Sequence, residues 1–172
     1  MKKTKIFSLL LAGVIAFGAM VVPANASTDV SITTHARTID VTVPGTLAMV
    51  FNADGTNVIP ALPIENNMVG VNLSLDSVTA NFTGSDWKVS AESALTGIDS
   101  KKIQLFSKLS DDNSVMFTTT DGITGVCDLN SENVSIQNGT PYSFQLDVTR
   151  GTFTSDLSPS KAFDLSFAFS IS

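Results

Sequence analysis

The run Val71-Asn72-Leu73-Ser74-Leu75-Asp76-Ser77-Val78-Thr79-Ala80-Asn81-Phe82 places an apolar side chain at every second position, but in two phases. Val71, Leu73 and Leu75 are odd-numbered, whereas Val78, Ala80 and Phe82 are even. Successive side chains of a strand point to opposite faces, so this alternation predicts a strand that buries one of them. The switch at Asp76-Ser77 predicts one of two devices. Either one extra residue bulges out and restores the inward phase, or the strand crosses from one sheet to another at a corner. Both belong to layered β-structure.

The same two-residue period extends in both directions. Upstream, Ile39, Val41 and Val43 alternate with polar residues, Pro44-Gly45 interrupts, and Leu47, Met49 and Phe51 resume. Downstream come Trp87, Val89 and Ala91, then Val115 and Phe117, Val134 and Ile136, and Tyr142, Phe144, Leu146 and Val148. The last run is the cleanest, with Phe163, Leu165, Phe167, Phe169 and Ile171 facing one way and Asp164, Ser166, Ala168 and Ser170 the other. Asp54-Gly55, Asp121-Gly122 and Asn138-Gly139 suit the positive φ of tight hairpin turns. Residues 100–109 have Ile103, Phe106 and Leu109 at helical spacing, yet Gly97 and Asp111-Asp112-Asn113 bound the stretch so closely that a strand is preferred. Many short strands without covering helices predict an all-β fold, an antiparallel β-sandwich of immunoglobulin-like or jelly-roll type. Trp87, the sole tryptophan, is the expected centre of its core.

Residues 1–26 have a different character. Lys2, Lys3 and Lys5 precede an apolar run from Ile6 to Val22, and Pro23-Ala24-Asn25-Ala26 closes it. This is the pattern of a signal peptide cleaved after Ala26, leaving residues 27–172 as a single domain. The Ala-x-Ala site favours cleavage over retention of the apolar run as a membrane anchor. Secretion to the cell surface is the expected destination, and the short lysine-rich leader reads as bacterial. The Asn-x-Ser/Thr triplets at Asn72, Asn81, Asn133 and Asn138 therefore carry no weight as glycosylation sites.

The chain has ten basic and sixteen acidic residues, and loss of the three leader lysines leaves seven against sixteen. That balance argues against nucleic acid or anionic lipid as partner, since both are held largely through Lys and Arg. No second apolar run of spanning length follows the leader, so no membrane insertion is expected after cleavage. Cys127 is the single cysteine, which excludes an intramolecular disulfide. Val126 and Leu129 beside it predict a buried, inert thiol in preference to one paired between chains.

Catalytic and metal chemistry find little support. His35 is the only histidine, so a Cys–His pair would have to be His35 with Cys127, and neither lies in a recognisable motif. Two such residues cannot complete a tetrahedral zinc set. Asn52-Ala53-Asp54-Gly55-Thr56-Asn57 and Asp111-Asp112-Asn113 offer oxygen ligands for calcium, but without the spacing and terminal Glu of an EF-hand they read as turns. Trp87 and Tyr142 could stack on a sugar, yet their alternating registers assign them to the buried face. No catalytic residue, cofactor-binding residue or metal ligand is assigned, and no enzyme activity or cofactor is expected.

Val41-Thr42-Val43-Pro44, Phe51-Asn52-Ala53-Asp54-Gly55, Ile64-Glu65-Asn66-Asn67, the valine-rich run from Val69 to Val78, and Trp87-Lys88-Val89 together resemble exported surface proteins of Gram-positive bacteria. The pattern is similar to the WxL cell-wall-binding class and, more loosely, to the camelysin-like matrix fibre proteins. It departs from the former in having one Trp followed by Lys88 and Val89 and no distal Trp-x-Leu motif. The resemblance implies a β-sandwich at a bacterial envelope without an enzymatic role. Two expectations follow. The chain is a structural or adhesive surface protein, with fibre formation by strand exchange suggested by the terminal runs Val30–Thr34 and Phe163–Ile171. Alternatively it is a non-catalytic module that binds cell wall or carbohydrate. Its partners are then other copies of itself or wall components.

Overall fold

The phase change at Asp76-Ser77 is a β-bulge. In a computed structural model, which describes residues 38–172 apart from 94, 96 and 156–159, β5 (Leu73–Asn81) lies antiparallel to β13 (Asp164–Ile171). Ala168 stands opposite Ser77 and Phe169 opposite Leu75, so Asp76 is the extra residue. Leu73 and Leu75 before it and Val78 and Ala80 after it are all fully buried. One inserted residue thus returns both halves of the strand to the same face. The leader 1–26 with its cleavage site, the run Val30–Thr34, and His35 lie outside the described residues.

The described residues are all-β, with thirteen strands and no helix. One sheet runs in the order β1 (Val41–Thr42), β4 (Leu62–Asn66), β12 (Tyr142–Arg150), β7 (Lys102–Lys108) and β6 (Lys88–Val89), with β8 (Ser114–Met116) also on β7. The other is centred on β5. Along one edge of it lie β11 (Ser135–Ile136) and β10 (Thr124–Asp128), with β9 (Thr118–Thr120) beyond β10, and along the other edge lies β13. β2 (Val50–Phe51) and β3 (Asn57–Val58) form a separate small hairpin. Pairing is antiparallel except between β6 and β7, whose parallel register is reached through residues 90–101. A parallel neighbour needs such a long connection, which hides the pair from a search for hairpin turns.

The crossing between sheets occurs at Phe117. β8 pairs with β7 in one sheet and β9 with β10 in the other, and Phe117 between them is fully buried, its amide donating to the Leu105 carbonyl at 3.0 Å. A second crossing is at Asn138-Gly139. Gly139 has the expected positive φ of 76°, but it links β11 to β12 in different sheets and closes no hairpin. Asp121-Gly122 does close one, with both φ values positive, between β9 and β10.

Side chains of both sheets share one apolar cluster. Phe82, Phe117, Phe144, Ile64, Leu73, Leu75, Ile103 and Leu105 are among its fully buried members. Each such side chain contributes about 1.5–3 kcal/mol relative to exposure. Trp87 belongs to the cluster at 5% exposure, its ring 5.5 Å from Phe51 and 5.9 Å from Phe153. Tyr142 is only half-buried, enough to push its phenol pKa upward through desolvation. Residues 102–108 form the preferred strand, and Ile103, Gln104 and Leu105 are buried in succession because both faces of β7 are covered there.

Candidate functional site

Four of the strands with an unpaired edge are very short. Among the described residues β1 and β6 have two residues each and β8 and β9 three each, whereas β13 has eight. β13 pairs with β5 along one edge, and no described strand lies along its other edge. Residues 165–171 read Leu-Ser-Phe-Ala-Phe-Ser-Ile, without a charge, a proline or a glycine. Soluble proteins ordinarily guard a long edge with such residues.

The alternation along β13 is the one its sequence predicts. Leu165, Phe167 and Phe169 turn toward the core yet stay half-buried, while Ser166, Ala168 and Ser170 are exposed on the other face. The aromatic rings continue the core outward. Phe163 packs on Phe82 at 4.9 Å between centroids, Phe167 meets Phe144 of β12 edge-on at 5.3 Å, and Phe169 stacks on Phe167 at 6.3 Å. At its start the Lys161 ammonium lies 2.7 Å from the Asp164 carboxylate.

The backbone direction is fixed by the far end. The Ser172 amide donates to the Asn72 carbonyl at 3.1 Å, so Ser172, and with it Ser170, Ala168 and Ser166, turn their polar backbone groups toward β5. Leu165, Phe167, Phe169 and Ile171 then direct their amides and carbonyls to the open side.

A second feature lies where β4 and the β11–β12 connection meet. Glu65, Asn66, Asn67, Asn138, Gly139, Thr140 and Pro141 line a polar cleft of about 370 Å³. Asn66 forms its buried floor. Its Nδ2 donates to the carbonyls of Val71 at 2.7 Å and Ile136 at 3.0 Å, and its Oδ1 accepts from the Met68 amide at 2.9 Å. The Asn138 side-chain amide donates to the Asn66 carbonyl at 2.9 Å, which ties the two walls together. The Asn67 Nδ2 is shared between Asp40 and Thr42. The arrangement offers hydrogen-bonding groups without an aromatic platform.

The residues weighed for chemistry fall apart in space. Cys127 is fully buried with Sγ 3.6 Å from the Val115 carbonyl, and burial pushes its thiol pKa up to about 11. Such a thiol is neither a nucleophile nor a ready disulfide partner at neutral pH. The Asp54 carboxylate is engaged by the amide and hydroxyl of Thr56, which hold its pKa below the usual value, and the Asn52 side chain donates to the Thr56 hydroxyl. Asp111 lies 3.4 Å from Lys108. No group of three or more His, Cys, Asp or Glu side chains gathers at metal-binding distance among the described residues. No helix of the described residues is long and apolar enough to cross a membrane.

Arg150 was not legible as an organising residue. Its guanidinium sits 5.4 Å from the Phe51 ring centre and 5.2 Å from that of Phe153, and it donates to Asn57 Oδ1 and to the carbonyls of Asn52, Thr56 and Gly151. The one signal in sequence is an arginine ending an alternating strand three places before a buried aromatic, Phe153. No family model matches the sequence, and no curated protein or solved structure matches it.

Proposed function

We propose that this chain is an exported bacterial cell-surface protein of structural or adhesive type. In this reading residues 27–172 form a single antiparallel β-sandwich, immunoglobulin-like or jelly-roll, that associates with copies of itself through sheet edges, strand exchange included. One observation carries it: the long edge of β13, uncharged over residues 165–171 and flanked by half-buried Leu165, Phe167 and Phe169. Edges of this kind template pairing with another chain through main-chain hydrogen bonds, with the alternate side chains setting the fit. No catalytic role belongs to the proposal.

Light scattering and negative-stain microscopy of the secreted chain over a concentration series test it. Growth in mass with concentration is the expected result, and a monomer at every concentration would overturn it. Deletion of residues 27–37 separates the forms of association. Loss of assembly on deletion would assign the exchanged strand to that run.

A second reading, a non-catalytic module for wall polymer or carbohydrate, is favoured by the polar cleft. Glu65, Asn67 and Thr140 line it, and side chains of these types can donate to and accept from sugar hydroxyls. Co-sedimentation with peptidoglycan or polysaccharide that Glu65→Gln weakens supports this reading, and absence of co-sedimentation removes it.

A further inference from the structure

We infer that two copies of this chain join β13 to β13, antiparallel, about a two-fold axis that stands perpendicular to the sheet beside Ala168. The inference rests on the self-association proposed above and names the contact.

The choice of partner follows from the inventory of edges. Two sheet edges pair well only over their common length, and every other free edge strand named above has three residues or fewer. Among the described residues, the one edge on a second copy that can match all of β13 is β13 itself. A strand that meets its own copy makes an isologous contact. Antiparallel pairing about an axis normal to the sheet keeps the inward faces of both copies on the same side, so the half-buried aromatics of the two copies form one continuous row.

The register follows from the backbone directions. The outward-facing groups belong to Leu165, Phe167, Phe169 and Ile171, so these residues must exchange the hydrogen bonds. Full overlap of the strand sets Phe167 of one copy opposite Phe169 of the other and Leu165 opposite Ile171. Ala168 then meets its own copy at a non-hydrogen-bonded position, where Cα atoms approach to about 4.5 Å. Nothing in 165–171 opposes this pairing, since that stretch carries no charge and its exposed face is Ser, Ala and Ser. Phe167 and Phe169 across the seam form the kind of cross-strand aromatic pair that stabilises sheets.

The contact is small. Eight residues span about 27 Å, and a strip that long and one domain-layer wide falls short of the roughly 800 Å² per partner of a standard stable interface. Association is therefore weak and concentration-dependent. An isologous contact also closes at two copies, so any filament needs a second, different contact.

The full-length gene, expressed with export left to the host, supplies protein for the test. Ala168→Cys is compared with Ser166→Cys under mild oxidation, the native Cys127 being buried and inert. On the proposed axis, position 168 faces itself within disulfide reach, whereas position 166 faces Ser170 and stands about 14 Å from its own copy. Ala168→Cys is expected to form crosslinked dimers at least tenfold faster. Ala168→Lys is compared with Ser166→Lys for the dimer dissociation constant. The first sets like charges face to face and weakens association about tenfold or more, while the second holds them beyond the Debye length and changes it little. Both positions are exposed, and circular dichroism with thermal melts verifies that each of the four variants folds. Equal crosslinking at both positions, or assembly that survives Ala168→Lys, would overturn the β13 axis while leaving self-association through another surface standing. A monomer at every concentration would overturn both.

Discussion

The Arg150 Nε donates to Asn57 Oδ1 at 2.7 Å, joining residues 93 positions apart. The same guanidinium caps the carbonyls of Asn52 and Thr56 and lies between the Phe51 and Phe153 rings, so one side chain fastens the β2–β3 hairpin to the end of β12. A lysine has the charge but not the planar fork. Arg150→Lys is expected to lower stability by about 2 kcal/mol in denaturant unfolding and to speed proteolysis between residues 52 and 57. An unchanged cleavage rate would show that the hairpin is held by other contacts.

Deletion and substitution at Asp76 test the bulge in different ways. Asp76→Ala removes the hydrogen bond its carboxylate accepts from the Ser170 hydroxyl at 2.8 Å, a loss of about 1 kcal/mol. Deleting Asp76 instead removes the extra residue, so that Leu73, Leu75, Val78 and Ala80 follow one unbroken two-residue period on the same face, at the loss of the carbonyl that the Leu129 amide bonds at 2.8 Å. The deletion is expected to keep a cooperative melting transition, and loss of that transition would refute the role given to the bulge.

Asn66 satisfies two carbonyls and one amide from a buried position. Truncation strands all three backbone groups, so Asn66→Ala should cost about 3 kcal/mol. Asn67→Ala, whose side chain is exposed and bonds only Asp40 and Thr42, should fall within about 0.5 kcal/mol of the parent. Chemical denaturation of the two variants side by side reads the difference.

The Cys127 thiol has its folded-state pKa raised to about 11, desolvation being the chief cause. The stability linked to its proton is fully present below the unfolded thiol range and is lost as pH rises toward 11. A thiol-specific chromogenic reagent at pH 8 should label the native protein at least a hundredfold more slowly than the denatured chain, and Cys127→Ala should flatten the decline in stability between about pH 8.5 and 11. Rapid native labelling would mean that the thiol is reached through opening of the sheets.

Asp99 gives the opposite sign. Its carboxylate accepts from the Thr154 amide at 2.8 Å and hydroxyl at 2.7 Å, which lowers its pKa in the folded state. The associated stability is present above the unfolded carboxylate pKa and is lost as pH falls through the lower folded value. Amide exchange at Thr154 should accelerate below about pH 4, beyond the trend of neighbouring amides, and Asp99→Asn should remove that acceleration.

Local periodicity carried most of the strand content. The strand over residues 102–108, the burial of Cys127 and the two-faced β13 were legible, and the phase change at Asp76-Ser77 narrowed to a bulge or a sheet crossing, because each depends on which side of a strand a residue occupies. Connections between strands were not. Asn138-Gly139 has hairpin chemistry, yet its flanking strands belong to different sheets, a matter decided by burial of Ile136 and Phe144 rather than by the turn. Phe117 fits its alternating run and gives no sign that the run changes sheets there. The candidate edge was half visible: the apolar run at 163–171 marks a strand, but that no described strand lies along its second edge emerges only from the pairing of all the described strands. The Arg150 clamp depends on contacts across some ninety positions and leaves no local trace.

The pairing of β13 with β5 also sets the order of events during synthesis. β5 leaves the ribosome early, and its second edge waits until residues 164–171 have been made, as the 94-position span from Asp76 to Ser170 shows. Until then the longest strand of the second sheet is bound on one side only and Phe82 lacks the Phe163 ring that packs on it. Completion of that sheet is thus postponed until residues 164–171 have been made, and the core around Phe82 closes only with them.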